Sequence, residues 1–178
     1  GNGFRMGNNQ WRAQHKFSGG GPLMDMGLYC LNEACLIANE AAPVAVTANE
    51  HPKTRPQLFV DVEQELDWTM EFADGTKAEF MSSYEQNVGK FRAEGDKGWL
   101  EMDPAFGYGG YKLTTSKGPV NITPAANQQA LQMDDFVKCI REGRESQVSG
   151  EMGLRDMKVL EAIYASMAAG GKRTLVRA

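Results

Sequence analysis

The strongest constraint in the sequence is a run in which apolar and polar residues change places at every step. Val60, Val62, Leu66, Trp68, Met70 and Phe72 share one parity. Asp61, Glu63, Glu65, Asp67, Thr69 and Glu71 share the other, and Gln64 is the exception on the apolar side. A backbone that turns successive side chains to opposite faces is an extended strand. The run therefore predicts a strand with one face for a core and one for water. Asp74-Gly75 follows it. That pair favours a tight hairpin turn, which predicts a return strand over Lys77–Glu85.

Shorter strands are predicted at Val44–Ala48, Lys90–Glu94, Gly98–Met102, Tyr111–Ser116, Val120–Thr123 and Thr174–Arg177, with a strand fragment at Gly3–Met6. A helix is predicted over Leu23–Asn39, where Met24, Leu28, Leu31 and Cys35 recur at helical spacing. A second, Gln129–Glu142, carries Met133, Phe136, Val137 and Ile140 on one side. A third, Gly150–Ala169, carries Leu154, Met157, Leu160, Ile163, Tyr164 and Met167. Consecutive hairpins bracketed by helices imply an α+β domain, an open-faced and mostly antiparallel sheet with helices packed on one face. A chain of 178 residues suits one such domain, 1–178.

Several function classes are excluded by what the chain lacks. A formal net charge of −4 with scattered basic residues does not suit a phosphate backbone, so no nucleic-acid partner is expected. No run of about 18 to 20 apolar residues is present to span a bilayer. Cys30, Cys35 and Cys139 form no CxxC pair, and His15 and His51 are the only histidines. No metal site and no disulfide framework is expected from them. There is no strand–GxGxxG–helix unit for a dinucleotide, no Walker loop and no GxSxG elbow. The chain opens Gly-Asn-Gly-Phe, without Met or an apolar signal segment, and reads as a start in mid-protein that leaves its compartment unassigned.

The chemistry-bearing segment is Gly19-Gly20-Gly21-Pro22-Leu23-Met24-Asp25-Met26-Gly27-Leu28-Tyr29-Cys30-Leu31-Asn32. Three glycines allow a sharp turn or a close approach, here expected to be that of substrate or cofactor to the backbone. Pro22 marks the helix start. Asp25, Tyr29 and Asn32 share a face apart from the apolar stripe, so their polar groups point together. On residue type alone, Asp25 also reads as a first-turn acid favoured by the helix dipole, and Tyr29 as a half-buried helix tyrosine.

This segment resembles the signature that opens the C-terminal domain of the glucose-fructose oxidoreductase and inositol dehydrogenase-like family. Trp11-Arg12 resembles the family's preceding pair. The likeness continues through Gly95-Asp96-Lys97-Gly98, the stretch from Met102 to Tyr108, the stretch from Pro124 to Gln128, the stretch from Gly150 to Asp156, and Glu161-Ala162-Ile163-Tyr164. It spans nearly the whole chain and is specific as an ordered set. The resemblance implies a protein in which a Rossmann domain holds NAD or NADP and this domain supplies the pocket for a sugar or polyol. The fragment itself is expected to hold no cofactor and to be inactive alone.

The resemblance assigns the aspartate to Asp25. It assigns the acid/base group, a histidine in many relatives, to Tyr29, as in the glucose-fructose oxidoreductase branch. The partner lysine belongs to an EKP motif in the nucleotide-binding half. An unperturbed tyrosine titrates near ~10, too high for a base at neutral pH. A neighbouring ammonium favours the phenolate and brings it down. Arg12, Tyr108 in its glycine-rich loop and Tyr84 are the substrate-binding candidates, and Lys16 is the candidate cofactor contact. Each also has a plainer reading, as an ion-pair partner, a packing aromatic or a surface lysine. A homo-oligomer through the open sheet face is expected. The alternative to an enzyme half is a non-catalytic oligomerisation or carbohydrate-binding module of the same fold.

Overall fold

A computed structural model of the chain describes residues 11–177; the Gly3–Met6 fragment lies outside them. Its contacts gather into two compact units. The first runs to Asn87 and resumes at Gly150, and the second is Val88–Ser149.

The alternating run forms a strand only over its second half. In the first unit, β1 (Ala45–Glu50), β2 (Glu65–Glu71), β3 (Lys77–Ser83) and β8 (Thr174–Leu175) make an antiparallel sheet in the order β3-β2-β1-β8. The Asp74-Gly75 turn sets the β2–β3 register, which pairs Glu71 with Lys77 and Glu65 with Ser83. Val60 to Gln64 belongs instead to an irregular stretch. Val60 is exposed, whereas Val62, Glu63 and Gln64 are all buried, so the alternation fails there. Gln64 is held by side-chain bonds: its Oε1 accepts from the Arg55 N–H at 3.0 Å and its Nε2 donates to Thr54 Oγ1 at 2.6 Å. Buried polar atoms with such partners hold a bend that a parity count reads as strand.

The first unit also contains a 3₁₀ turn (Trp11–Ala13), α1 (His15–Ser18), a π-helical turn (Leu23–Gly27), α2 (Leu28–Ile37) and α4 (Gly150–Ala168). The helix predicted over Leu23–Asn39 thus begins as a π turn and ends two residues early, with Asn39 and Glu40 at positive φ. The inward face of the sheet brings Val46, Ala48, Leu66, Trp68 and Met70 onto Leu23, Leu31 and Cys35 from the helix start and Val159, Leu160 and Ile163 from α4. All of these are essentially removed from water. The other face carries Thr47, Asn49, Glu65, Asp67, Thr69, Glu71, Lys77 and Glu79, with Ala45, Met81 and Leu175 its apolar members. The sheet is open-faced as expected, and its open side is polar.

In the second unit, β4 (Phe91–Gly95), β5 (Gly98–Met102), β6 (Leu113–Thr115) and β7 (Gly118–Val120) form another antiparallel sheet in sequential order. The strands expected for one sheet are therefore divided between two, and β7 lies earlier than the predicted Val120–Thr123. Helix α3 (Gln128–Glu142) completes the unit. Asn127 caps it, its side chain accepting from the Ala130 N–H at 2.9 Å. No helix among the described residues is long and apolar enough to cross a membrane.

Candidate functional site

Asp25 sits inside the π-helical turn, whose wider winding inserts an extra residue before α2 begins. Its backbone is fixed by the burial of Leu23 two residues earlier. Its carboxylate meets two donors that the sequence separates widely. Arg12 Nε lies 3.4 Å from Oδ1 and 3.3 Å from Oδ2. The Tyr84 hydroxyl donates to Oδ2 at 3.1 Å. The Asp25 side chain is 30% exposed, so a carboxylate with two fixed partners still faces solvent.

Arg12 is carried by the 3₁₀ turn, and the neighbouring Ala13 packs with Phe59, Val62 and Tyr84 in a small apolar cluster. The guanidinium also lies over the Trp11 ring at 4.4 Å. Tyr84 follows β3 and stacks on Phe59, with ring centroids 5.9 Å apart. It is buried. Burial, then the charge of Asp25 and the bond to it, push the phenol well above its usual range. Tyr84 therefore stays a hydrogen-bond donor throughout the physiological range.

Of the residues singled out in the sequence, Arg12, Asp25 and Tyr84 are brought together. Tyr29 lies beyond them in α2 and is 67% exposed. Lys16 is exposed, its ammonium 5.5 Å from the centre of the Phe17 ring. Tyr108 is exposed and belongs to the second unit. Asn32 turns to α4, donating to Asp156 Oδ2 at 3.0 Å. Cys30 and Cys35 are free thiols pushed up to about 11, chiefly by burial. No group of three or more metal-ligating side chains is assembled among the described residues.

Two of the three glycines are closely approached by the protein itself. A Cβ on Gly20 would stand 1.9 Å from the Tyr164 hydroxyl oxygen, and one on Gly21 would stand 2.1 Å from the Glu63 carbonyl oxygen. The glycines admit the protein's own α4 and the stretch before β2. At Gly20 and Gly21 the space beside the backbone is thus filled by Tyr164 and Glu63. Sequence reasoning gave Glu63 and Tyr164 no part in the site. Parity assigned Glu63 to the solvent side, and nothing local marks it as buried.

Residues 2–175 match the family model described as the oxidoreductase family, C-terminal alpha/beta domain. D-xylose 1-dehydrogenase [NADP(+)] of Haloarcula marismortui is 26% identical over 162 residues, covering 88% of this chain and 44% of that protein. The crystal structure of aldose-aldose oxidoreductase from Caulobacter crescentus, complexed with glycerol, is similar at a TM-score of 0.87 with 37% identity. That match covers 96% of this chain and 52% of the other. Myo-inositol 2-dehydrogenase from Lactobacillus plantarum shares the fold at a TM-score of 0.70 and 18% identity, over 93% of this chain and 51% of that one. The chain spans about half the length of the relatives it matches.

Proposed function

The chain belongs to the glucose-fructose oxidoreductase and inositol dehydrogenase-like oxidoreductase family as its C-terminal alpha/beta domain, and from that premise we propose that it is the substrate half of an NAD- or NADP-dependent enzyme oxidising a sugar or polyol hydroxyl. The observation that carries the reading is the carboxylate of Asp25, held by Arg12 and Tyr84 at the start of the helix that presents Tyr29. An aldose-acting relative at 37% identity supports a sugar or polyol as the substrate class. A nicotinamide held by chain outside these residues supplies the hydride acceptor. Alone, the domain is inactive in this reading.

Within the domain, Asp25 binds and orients. An ionised carboxylate offers about four acceptor positions. Arg12 and Tyr84 engage part of that capacity, and the rest is open to a substrate hydroxyl. Arg12 balances the charge, and Tyr84 acts through Asp25 because its own hydroxyl is already donated there. Tyr29 takes the hydroxyl proton as hydride leaves, with a lysine ammonium from the nucleotide-binding half favouring its phenolate. Lys16 contributes a cofactor contact. Self-association runs through the open face of the β1–β3 sheet, through polar and charged pairs.

In the protein carrying both halves, Tyr29→Phe should lower turnover by roughly 10²- to 10⁴-fold, the range of a lost acid/base group. Turnover equal to wild type rejects that role and favours a binding module. Sedimentation should show a dimer or larger species, and a monomer at high protein concentration removes the assembly role.

A further inference from the structure

Glu63 is a carboxylate that the site as described does not use, yet it is buried more deeply than any group in that site, with 2% of its surface exposed. Oε2 accepts from the Gly21 N–H at 2.9 Å. Oε1 accepts from the Leu23 N–H at 3.0 Å and from the Tyr164 hydroxyl at 3.1 Å. Pro22, between the two amides, has no N–H to offer. No local side chain caps the π-helical turn. A carboxylate from the stretch before β2 therefore does the work of an N-cap from forty residues away, where the helix dipole also favours negative charge.

The surroundings are shaped to this contact. Gly20 and Gly21 lack the Cβ atoms that would strike Tyr164 and the Glu63 backbone. Burial pushes the Glu63 carboxyl up, against the hydrogen bonds from Gly21, Leu23 and Tyr164 that favour its charged form. Burial and the neighbouring carboxylate push Tyr164 up in turn, which keeps it a donor. A buried charge opposed by desolvation is an uneconomical way to hold two amides unless their placement matters.

We propose that Glu63, backed by Tyr164, is a positioning residue of the reaction, clamping the start of the π-helical turn so that Asp25 and Tyr29 are set at the substrate. Leu23, whose amide it holds, precedes Asp25 by two residues and Tyr29 by six. Misplacement of a reacting group by about 1 Å can cost on the order of 10²-fold in rate. The role rests on Asp25 and Tyr29 being the working groups.

The test is a double-mutant cycle on turnover in the protein carrying both halves. Glu63→Gln keeps the shape but offers one acceptor oxygen in place of two. It should lower kcat roughly 10- to 100-fold with the far-ultraviolet circular dichroism unchanged. In an Asp25→Asn background, adding Glu63→Gln should cost less than it does in the wild type, because the part of its effect that runs through Asp25 is already gone. Wild-type turnover in Glu63→Gln, or losses that multiply in full, overturns the positioning role alone. Wild-type turnover in both Asp25→Asn and Tyr29→Phe overturns the site itself, and this role with it. Should Glu63→Gln fail to fold, Tyr164→Phe takes its place, with a several-fold loss that shrinks in the Asp25→Asn background. Wild-type turnover in Tyr164→Phe then overturns the proposal.

Discussion

The first unit buries Leu23, Leu31, Leu66, Trp68, Met70, Leu160 and Ile163 completely or nearly so, whereas in the second, also built on a four-stranded antiparallel sheet, Cys139 is the one buried residue. Both have the pattern a core requires. In the second unit Phe91, Ala93, Leu100, Met102, Leu113 and Val120 share a sheet face through the pairings Phe91–Met102, Ala93–Leu100 and Leu113–Val120. Met133, Phe136, Val137 and Ile140 line one side of α3, and all four are exposed. The difference lies in what covers the face. In the first unit α4 lies along β1 and meets α2, so that a wide apolar face is sealed by two helices. Patterning supplies a surface that is able to be buried, and stability comes only when a second layer is in place.

The sharpest way to break this contrast is a pair of truncations. Trp68 stacks on Phe80 at 3.9 Å and donates to Ser82 Oγ at 3.2 Å. Trp68→Ala should cost about 3–5 kcal/mol in chemical denaturation. Phe136→Ala, on exposed α3, should stay within about 0.5 kcal/mol. Equal losses would mean that the second unit is as tightly closed as the first. A pair of glycine substitutions reads the same difference at smaller amplitude. Gly21→Ala drives a methyl into the Glu63 backbone and should cost about 1–3 kcal/mol. Gly109→Ala meets nothing within 4 Å and should be neutral or stabilising by up to about 1 kcal/mol, through the unfolded chain. A loss at Gly109 as large as that at Gly21 would show the second loop to be packed.

The smallest effect separates the units by pH. Both histidines belong to the first unit. His51 places Nδ1 2.7 Å from Glu65 Oε1 and Nε2 2.7 Å from Asp67 Oδ2, joining the end of β1 to β2 on the open face. The bond to Asp67 leads the effects that raise its pKa, and partial burial opposes them. Burial alone would raise Glu65, but bonds from Ser83, His51 and Gln86 leave it lowered. The protonated imidazole is the form that binds both carboxylates. Its contribution is therefore complete below the unfolded histidine pKa and is lost as pH rises through the higher folded one. Denaturation midpoints of wild type relative to His51→Gln should fall as pH rises above the ordinary histidine range. A difference that does not vary with pH would remove the clamp.

Much of this architecture was legible because it is local. The β2–β3 hairpin, α3 and the helix carrying Tyr29 all follow from spacings of a few residues. The site was legible by half. Arg12, Asp25 and Tyr84 could each be named, but the bond joining Asp25 to Tyr84 crosses 59 positions, and no periodicity reports a pairing of that kind. Glu63 was hidden for a sharper reason. Its parity placed it in water, and what holds it inside is two amides at the start of a helical turn on another segment. The triple glycine was visible and its purpose misread, since a gap in side chains looks the same whether a ligand or an α-helix fills it.

The route of the chain also has a bearing on its biosynthesis. The first unit is interrupted after Asn87 and completed only from Gly150 onward, where α4 brings Val159, Leu160 and Ile163 and β8 joins β1. While the polypeptide is emerging from a ribosome, Trp68 and Leu66 have only the α2 half of their cover until that late helix appears. A message cut short after Ser149 would yield a sheet with its greasy side half bare, a substrate for chaperones and proteases rather than a smaller working piece.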